Sequence, residues 1–436
     1  MTSRSLLTER GRAPAAVNRI TAAALIGTLI EFYDFALYAT AAALVLGPVF
    51  FPEFAPATAT LAALGTFATG FVARPLGAVL FGHIGDRFGR RTVLQSTVLV
   101  TGLATLGVGL LPGYRESGVL APVCLVVLRF VQGLGIGGEW TGAVLLATEH
   151  APARHRGLWA SFPQVGPAAG FLLANAAVLA LTTTLSTDQF MSWGWRVPFW
   201  FAGLLTVVGY LLRSGVVESP VFRDLAREGG VVRSPVRQVI RLHGMRVLLV
   251  AGAVMCTYAV HYTATTWAMS HVTRHPAMTP TRTLLCLMAA MTVMAAATPL
   301  AAALGDRHGR RRLSIIGCLA MAACTVPYLA LLGTGHPVAI WAATTLMLLA
   351  LVTMLGVQGG YIPELFEPGV RAAGTAISYN TGALLGGALT PLINSRLFQS
   401  ATGQLPWAVA AYLTGVCAVS LACLLLLPAR PAAFKG

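Results

Sequence analysis

Twelve long apolar runs, separated by short polar or basic connections, constrain this chain more than any other feature. They fall at about 18–48, 58–84, 92–112, 119–148, 157–183, 195–213, 246–272, 282–304, 313–334, 337–361, 372–398 and 405–428. About 20 apolar residues cross a bilayer as a helix, because a helix satisfies its own backbone polar groups in hydrocarbon. The runs are continuous and rich in Ala, Leu and Gly, without the ~10-residue alternating segments of a membrane β-barrel. Charged residues make up 10% of the 436, against about 25% in a soluble domain. The expected fold is an all-α membrane protein with twelve transmembrane helices. Clusters of small residues such as Gly102, Gly107 and Gly109 let such helices approach closely.

The formal charge of +15 would point to nucleic acid in a soluble protein. Its distribution points to a membrane instead. On the twelve-span arrangement, 23 of the 30 Lys/Arg fall in segments on one side, five on the other, and two, Arg74 and Arg129, inside spans. Basic residues accumulate on the cytoplasmic side, so both termini are expected in the cytoplasm, with the protein in the cell (inner) membrane. The lipid bilayer is the expected partner and nucleic acid is not; the basic loops would also attract anionic headgroups. The seven cysteines lie in apolar spans with no CxxC spacing and read as small buried hydrophobes, not metal ligands or disulfides. The first span is too long and too interrupted by acids for a signal peptide.

The longest polar connection, 213–246, carries seven arginines and three acids. It reads as the joint between two six-helix halves. The expected organisation is a cytoplasmic N-terminus at 1–17, a first bundle at 18–213, a central loop at 214–245, a second bundle at 246–428 and a cytoplasmic C-terminus at 429–436. Val217–Phe222 is expected to start a short interfacial helix. The halves are internally related. Gly85-Asp86-Arg87-Phe88-Gly89-Arg90-Arg91 follows the second span, and Gly305-Asp306-Arg307-His308-Gly309-Arg310-Arg311 follows the eighth, with six of seven positions identical. Glu149 and Arg156 after the fourth span are matched by Glu364 and Arg371 after the tenth. Such repeats imply pseudo-two-fold symmetry about the membrane normal and a central site between the halves.

The loop motifs can act as a gate. Asp86 can accept from arginines or from the amides of a neighbouring helix N-terminus. Arg90 and Arg91 can pair with Glu149, and Arg310 and Arg311 with Glu364, with Asp306 in the role of Asp86. Pairs of this kind would latch one face shut and release it in the other state. The same arginines also fix topology whether or not they pair. Asp86→Ala or Asp306→Ala should therefore leave the protein inserted and slow its turnover.

The charges within spans are Glu31, Asp34, Arg74, Arg129 and Glu139. Groups of this kind are expensive in hydrocarbon and mark substrate or proton paths, or else permanent ion pairs. Glu31 and Asp34 share one helix face. At ~1.5 Å per residue Glu31 lies about 20 Å into the first span and Arg74 about 15 Å into the second, so pairing of Arg74 with Glu31 or Asp34 is expected. Three acids against two bases leave one negative charge, which a single proton would cancel. This sum assigns Asp34 to proton coupling and Glu31 to Arg74, although exchanging those two roles changes nothing else; Glu139 is a further proton-coupling candidate or a structural group. Arg74 or Arg129 would anchor a substrate carboxylate.

His261 sits in the seventh span among Tyr258, Tyr262 and Trp267. It is a titratable candidate or a helix-packing histidine, and the tyrosines either line the site or pack. Gln358, Tyr361, Tyr379 and Asn380 are neutral candidates for orienting a ligand. No Walker A loop, HExxH or His/Cys cluster is present, so neither an enzyme nor a cofactor is expected. The proton gradient is the expected energy source. Gly133-x-Gly135-x-x-Gly138 spells a nucleotide-loop pattern but lies in an apolar span with no preceding strand.

Several stretches resemble the major facilitator superfamily, and within it the metabolite:proton symporters that carry proline/betaine, α-ketoglutarate, citrate and shikimate. They are Glu31-Phe-Tyr-Asp34-Phe-x-x-Tyr38, Arg74-Pro-Leu-Gly77 running into Gly82-His-Ile-Gly85-Asp86, Arg129-Phe-Val-Gln132-Gly133, Gly137-Gly138-Glu139-Trp140, Glu149-His-x-Pro152, Gly194-Trp195-Arg196-Val-Pro198-Phe199, Glu218-Ser-Pro220-Val-Phe222 and Glu364-Leu-Phe366. The resemblance implies proton-driven uptake by alternating access. It carries over Glu31, Asp34, Arg74, Arg129 and Glu139 as membrane charges, and Asp86, Arg90 and Asp306 as loop-motif residues. Tyr38 joins the substrate-binding candidates. The leading reading is a monomeric proton symporter for a small carboxylated or zwitterionic metabolite. Gly166-Pro167-Ala168-Ala169-Gly170 resembles part of a signature of proton-antiporting exporters, although Phe162 replaces its leading glycine; export by antiport is the alternative. A transport-dead sensor is disfavoured by the intact charges.

Overall fold

The computed structural model describes residues 3–215, 217–228, 232, 234–273, 275–399 and 406–428. Its regular elements there are all helical. The first half comprises α1 (Ser3–Ala41), α2 (Pro56–Phe88), α3 (Arg90–Leu110), α4 (Leu120–His150), α5 (Arg156–Thr184) and α6 (Val197–Ser214). The second comprises α7 (Pro235–Tyr262), α8 (Pro280–His308), α9 (Arg310–Leu332), α10 (Pro337–Glu364), α11 (Arg371–Ala383, resuming at Thr390–Gln399) and α12 (Trp407–Leu426). Eleven helices among the described residues are long and apolar enough to cross a membrane unbroken. The twelfth crossing, α11, passes through a widened π turn at Leu384–Ala388 and breaks at Leu389. Two more π turns, Ala42–Leu46 and Thr263–Trp267, continue α1 and α7 at matching places in the two halves.

Proline starts α2, α7, α8 and α10 at their first helical positions, where its missing N–H costs nothing. In the first half α1 packs on α5, α2 on α4, and α3 on α4 and α6. In the second, α7 packs on α11 and α12, α8 on α10, and α9 on α10 and α12. The halves meet mainly through α5 against α8 and α2 against α11. Glycines permit the closest approaches: a Cβ on Gly170 would lie 2.5 Å from the Tyr33 nitrogen. The Gly166–Gly170 stretch therefore packs α5 onto α1, a structural reason for its resemblance to an export signature. Leu103, Leu204, Leu248 and Leu300 are largely exposed, as side chains facing hydrocarbon should be. The central connection forms a helix at Pro220–Arg227, N-capped by Ser219, where an interfacial helix was expected. α7 begins at Pro235, ahead of its apolar run. Residues 429–436 lie outside the described residues.

Candidate functional site

Six charges meet inside the first half, one more than the sequence shows. Glu31 and Asp34 on α1, Arg74 on α2, Arg129 and Glu139 on α4, and Arg213 on α6 are all at most 2% exposed. Asp34 Oδ2 accepts from the Thr105 hydroxyl at 2.9 Å. Thr105 Oγ1 accepts from Gln132 Nε2 at 2.6 Å, and Gln132 Oε1 accepts from Arg129 Nη1. A chain of three hydrogen bonds thus joins Arg129 to Asp34 through two neutral side chains. Among the described residues Asp34 Oδ1, Glu31 Oε2, and Nε and Nη2 of both Arg74 and Arg129 make no hydrogen bond.

Two expectations are corrected. Arg74 forms no ion pair with Glu31 or Asp34; its guanidinium lies over the rings of Phe35 (4.4 Å) and Phe71 (4.8 Å). Arg129 also faces Phe35 (5.2 Å) and sits over Tyr38 at 3.8 Å, while the Tyr38 hydroxyl bonds Thr66. Aromatic faces hold these cations without neutralising them. Glu139 pairs with Arg213 at 2.5 Å, and Arg213 Nη1 donates to the Leu94 carbonyl at 2.7 Å. Arg213 ends its span beside Ser214 and Gly215, so it read as a loop arginine. Counting it, three acids face three bases, and the excess negative charge inferred from sequence disappears. Gly27 explains itself here, since a Cβ there would run into the Arg213 guanidinium.

From the second half, Tyr262 meets Phe35 (6.3 Å) and Phe71 (5.6 Å), and Tyr258 meets Tyr379 (5.4 Å). Tyr379 stacks on Trp140 at 3.4 Å. These rings form one layer across the two halves, next to Arg74. Gln358 Nε2 donates to Thr257 at 3.2 Å, and its Oε1 is unpartnered among the described residues. His261 is only half-buried and packs edge-on against Tyr262, and the structure brings it to none of the charges. Asn380 donates to the carbonyls of Gly137 (2.8 Å) and Ala376 (3.0 Å); it ties α11 to α4, in place of the ligand contact expected. Trp140 Nε1 donates to Gln164 Oε1 at 2.5 Å, and Gln164 Nε2 to the Leu355 carbonyl at 2.9 Å, a second tie. Thr105 and Gln164 carry no signal beyond being polar residues in apolar runs, and Gln132 stands out only within the Arg129–Gly133 stretch that carries the family resemblance.

The loop motifs close the face on which they lie. Asp86 accepts from the amides of Ala372 (3.1 Å) and Ala373 (2.8 Å) at the start of α11. Asp306 accepts from Gly157 (3.0 Å) and Leu158 (2.9 Å) at the start of α5. Each half thereby caps a helix of the other, with the anion placed at the positive end of the helix. Arg90 pairs with Asp86 (3.3 Å) and Glu149 (3.5 Å), and Glu149 with Arg371 of the other half (3.4 Å). Arg310 pairs with Asp306 (2.6 Å) and with Glu364. Arg91 and Arg311 do not join these pairs: they donate to Ser214 O (2.7 Å) and Leu425 O (2.8 Å). The first gate is further covered by Glu218, which accepts from the amides of Arg90 and Arg91, and by Ser219, which donates to Glu149.

The chain matches the family model of the Major Facilitator Superfamily over residues 24–359 and 254–436. It is 41% identical over 414 residues to the inner membrane metabolite transport protein YhjE of Escherichia coli K12, covering 94% of this chain and 93% of that one. It is 35% identical over 408 residues to the shikimate transporter of the same organism, 92% of each chain. The proline/betaine transporter of Salmonella typhimurium LT2 is 33% identical over 390 residues, 87% of this chain and 77% of that one. Among solved structures, the proton:xylose symporter XylE bound to 6-bromo-6-deoxy-D-glucose superposes with a TM-score of 0.80 at 17% identity, over 96% of this chain and 98% of that one.

Proposed function

This chain belongs to the Major Facilitator Superfamily and is a multi-pass membrane transporter, not an enzyme, and we propose that it imports a small monocarboxylate together with one proton. The observation that carries this reading is the pair of buried arginines, Arg74 and Arg129, each with two guanidinium nitrogens lacking a protein acceptor. Buried cationic donors left open in this way are built to receive an anion. The shikimate in the printed name of one relative is a carboxylate, which agrees with this reading, whereas the proline and betaine in the name of another are zwitterions.

Charge closure supplies the coupling. Glu31, Asp34 and Glu139 balance Arg74, Arg129 and Arg213 when all are ionised. A proton alone leaves the closed site at plus one, and a monocarboxylate alone leaves it at minus one. Only both together, or neither, give a neutral site that crosses cheaply between states. Asp34 is the proton acceptor in this reading, because its free Oδ1 and its hydrogen-bonded link to Arg129 let anion binding at one end favour protonation at the other. Glu31, lacking an ion pair, is the second acceptor. Glu139 is structural, held by Arg213. The gated face is cytoplasmic and the protein sits in the inner membrane, as the basic loops and the printed name of one relative support. The proton gradient supplies the energy.

Proteoliposomes test this directly. One proton with one monoanion carries no net charge, so uptake should follow an imposed pH gradient and ignore a potassium diffusion potential. A zwitterion carried with a proton would respond to both. Proton release on substrate entry would establish antiport and overturn the proposal.

A further inference from the structure

The two loop-motif regions follow one plan and differ at one place. In both, the glycine between helices has a left-handed backbone, φ +98° at Gly89 and +97° at Gly309. In both, the second arginine closes on the end of the last helix of its half. In the first half a carboxylate completes the arrangement: Glu218 accepts from Arg90 N at 2.9 Å and Arg91 N at 3.1 Å. Among the described residues nothing holds the matching place at Arg310 and Arg311. A Cβ on Gly309 would meet no atom within 4 Å, whereas one on Gly89 would meet Phe222 at 3.2 Å.

That place is an open cleft of about 800 Å³, lined by Gly309, Arg310, Arg311, Arg312, Ile316 and Tyr361 among others. Its charge is unbalanced. The first region has four arginines (Arg87, Arg90, Arg91 and, from the other half, Arg371) against three acids (Asp86, Glu149, Glu218). The second has five (Arg307, Arg310, Arg311, Arg312 and, from the first half, Arg156) against two (Asp306, Glu364), with Arg312 where the first half has Thr92. An independent sign of a missing ligand is Tyr361. It is 5% exposed, lines the cleft, and its hydroxyl has no hydrogen-bond partner among the described residues. The isoleucine side of the cleft continues into the exposed apolar surface of α9, with Ile316 47% and Leu319 52% exposed.

We infer that this cleft binds the phosphodiester of an anionic phospholipid, which takes the place that Glu218 holds in the other half. The phosphate sits at the N-terminus of α9, where the helix dipole and the open amides favour an anion. Arg311 and Arg312 supply charge, Tyr361 donates to a phosphate oxygen, and an acyl chain lies along Ile316 and Leu319. The bound lipid then lowers the positive excess at the second gate by one charge, as Glu218 does at the first. This inference is independent of the substrate and of the direction of transport.

The test uses the full chain purified in detergent, with binding of dioctanoyl phosphatidylglycerol, dioctanoyl phosphatidylcholine and inorganic phosphate followed by calorimetry. Phosphatidylglycerol should bind best. Arg312→Thr should weaken it about fivefold, the contribution of one arginine at an anionic surface. Tyr361→Phe should weaken it about tenfold, through loss of one hydrogen bond to a charged group. Arg282→Gln, away from the cleft, should change nothing. Arg312 is exposed, so its replacement leaves the fold intact and keeps the test open if Tyr361→Phe fails to fold. Wild-type affinity in both variants, or equal binding of phosphatidylcholine, would overturn the site. Equal affinity for inorganic phosphate would assign the cleft to a free phosphate and overturn the lipid.

Discussion

Arg129 and Asp34 are joined by hydrogen bonds through Gln132 and Thr105, so the link depends on two neutral side chains that can be removed without altering any charge. Gln132→Leu should cut uptake driven by a pH gradient by about tenfold or more, the effect of losing a hydrogen bond to a charged group, at unchanged membrane abundance. Gradient-driven uptake equal to wild type would remove the link from the mechanism. Glu139 and Arg213 can be separated by the same logic. Glu139→Gln leaves Arg213 buried without its partner and should destabilise the protein by about 3 kcal/mol. Adding Arg213→Met should restore most of that. Thermal unfolding of the two variants in detergent decides the matter, and a Glu139→Gln protein as stable as wild type would return Glu139 to the proton path.

At the scale of elements, each half spends one aspartate on a helix of the other, but the two caps stand in different surroundings. Asp86 and Arg90 are buried under the central connection, whereas Asp306 and Arg310 keep side-chain exposures of 6% and 13%. Breaking a buried pair leaves an uncompensated charge and costs about 3–5 kcal/mol; a pair that keeps some access to water costs less, because solvent screens the charge left behind. Asp86→Ala should therefore lower the unfolding temperature and slow turnover more than Asp306→Ala does. Equal effects would mean that burial does not set the strength of the gates. π turns stand at Ala42–Leu46, Thr263–Trp267 and Leu384–Ala388 along α1, α7 and α11, and single-turn π insertions often sit at functional positions. Nothing in the apolar runs announces them, because a π turn changes the hydrogen-bond register without changing composition.

For the molecule as a whole, the structure is a state closed on the loop-motif face. Gly82 on α2 and Ala373 on α11 approach closely there: a Cβ on Gly82 would lie 2.8 Å from the Ala373 Cα and 3.5 Å from its Cβ, so a cysteine pair reaches disulfide geometry after a small separation of the two helices. In a background lacking the native cysteines, Gly82→Cys with Ala373→Cys should cross-link under oxidant and stop transport. Reductant should restore it. Continued transport by the cross-linked protein would show that this face need not open.

Much of this was legible from sequence for a plain reason. Membrane helices declare themselves by apolar length, the two halves by the repeated Gly-Asp-Arg loops, and the gate by acids placed symmetrically within reach of those loops. Spacing and charge offer Arg90 or Arg91 to Glu149, Arg310 or Arg311 to Glu364, and arginines or helix amides to Asp86; the packing selects Arg90, Arg310 and, for Asp86, both Arg90 and the amides of Ala372 and Ala373. Partners across the helix bundle were not legible in this way. Arg213 sits at a span end and reads as topology until α6 places it against Glu139. Arg74 looked like a partner for Glu31 until the rings of Phe35 and Phe71 were found beneath it. Asn380 and His261 are polar residues whose direction on the helix decides their use, and one turn of packing sends the first to a backbone carbonyl and the second away from the charges. Composition and repeats determine which elements form and on which side their charges lie, since those depend on free energy of transfer into lipid. Which buried charge is neutralised, and which is left open to a ligand, is decided only when the helices pack.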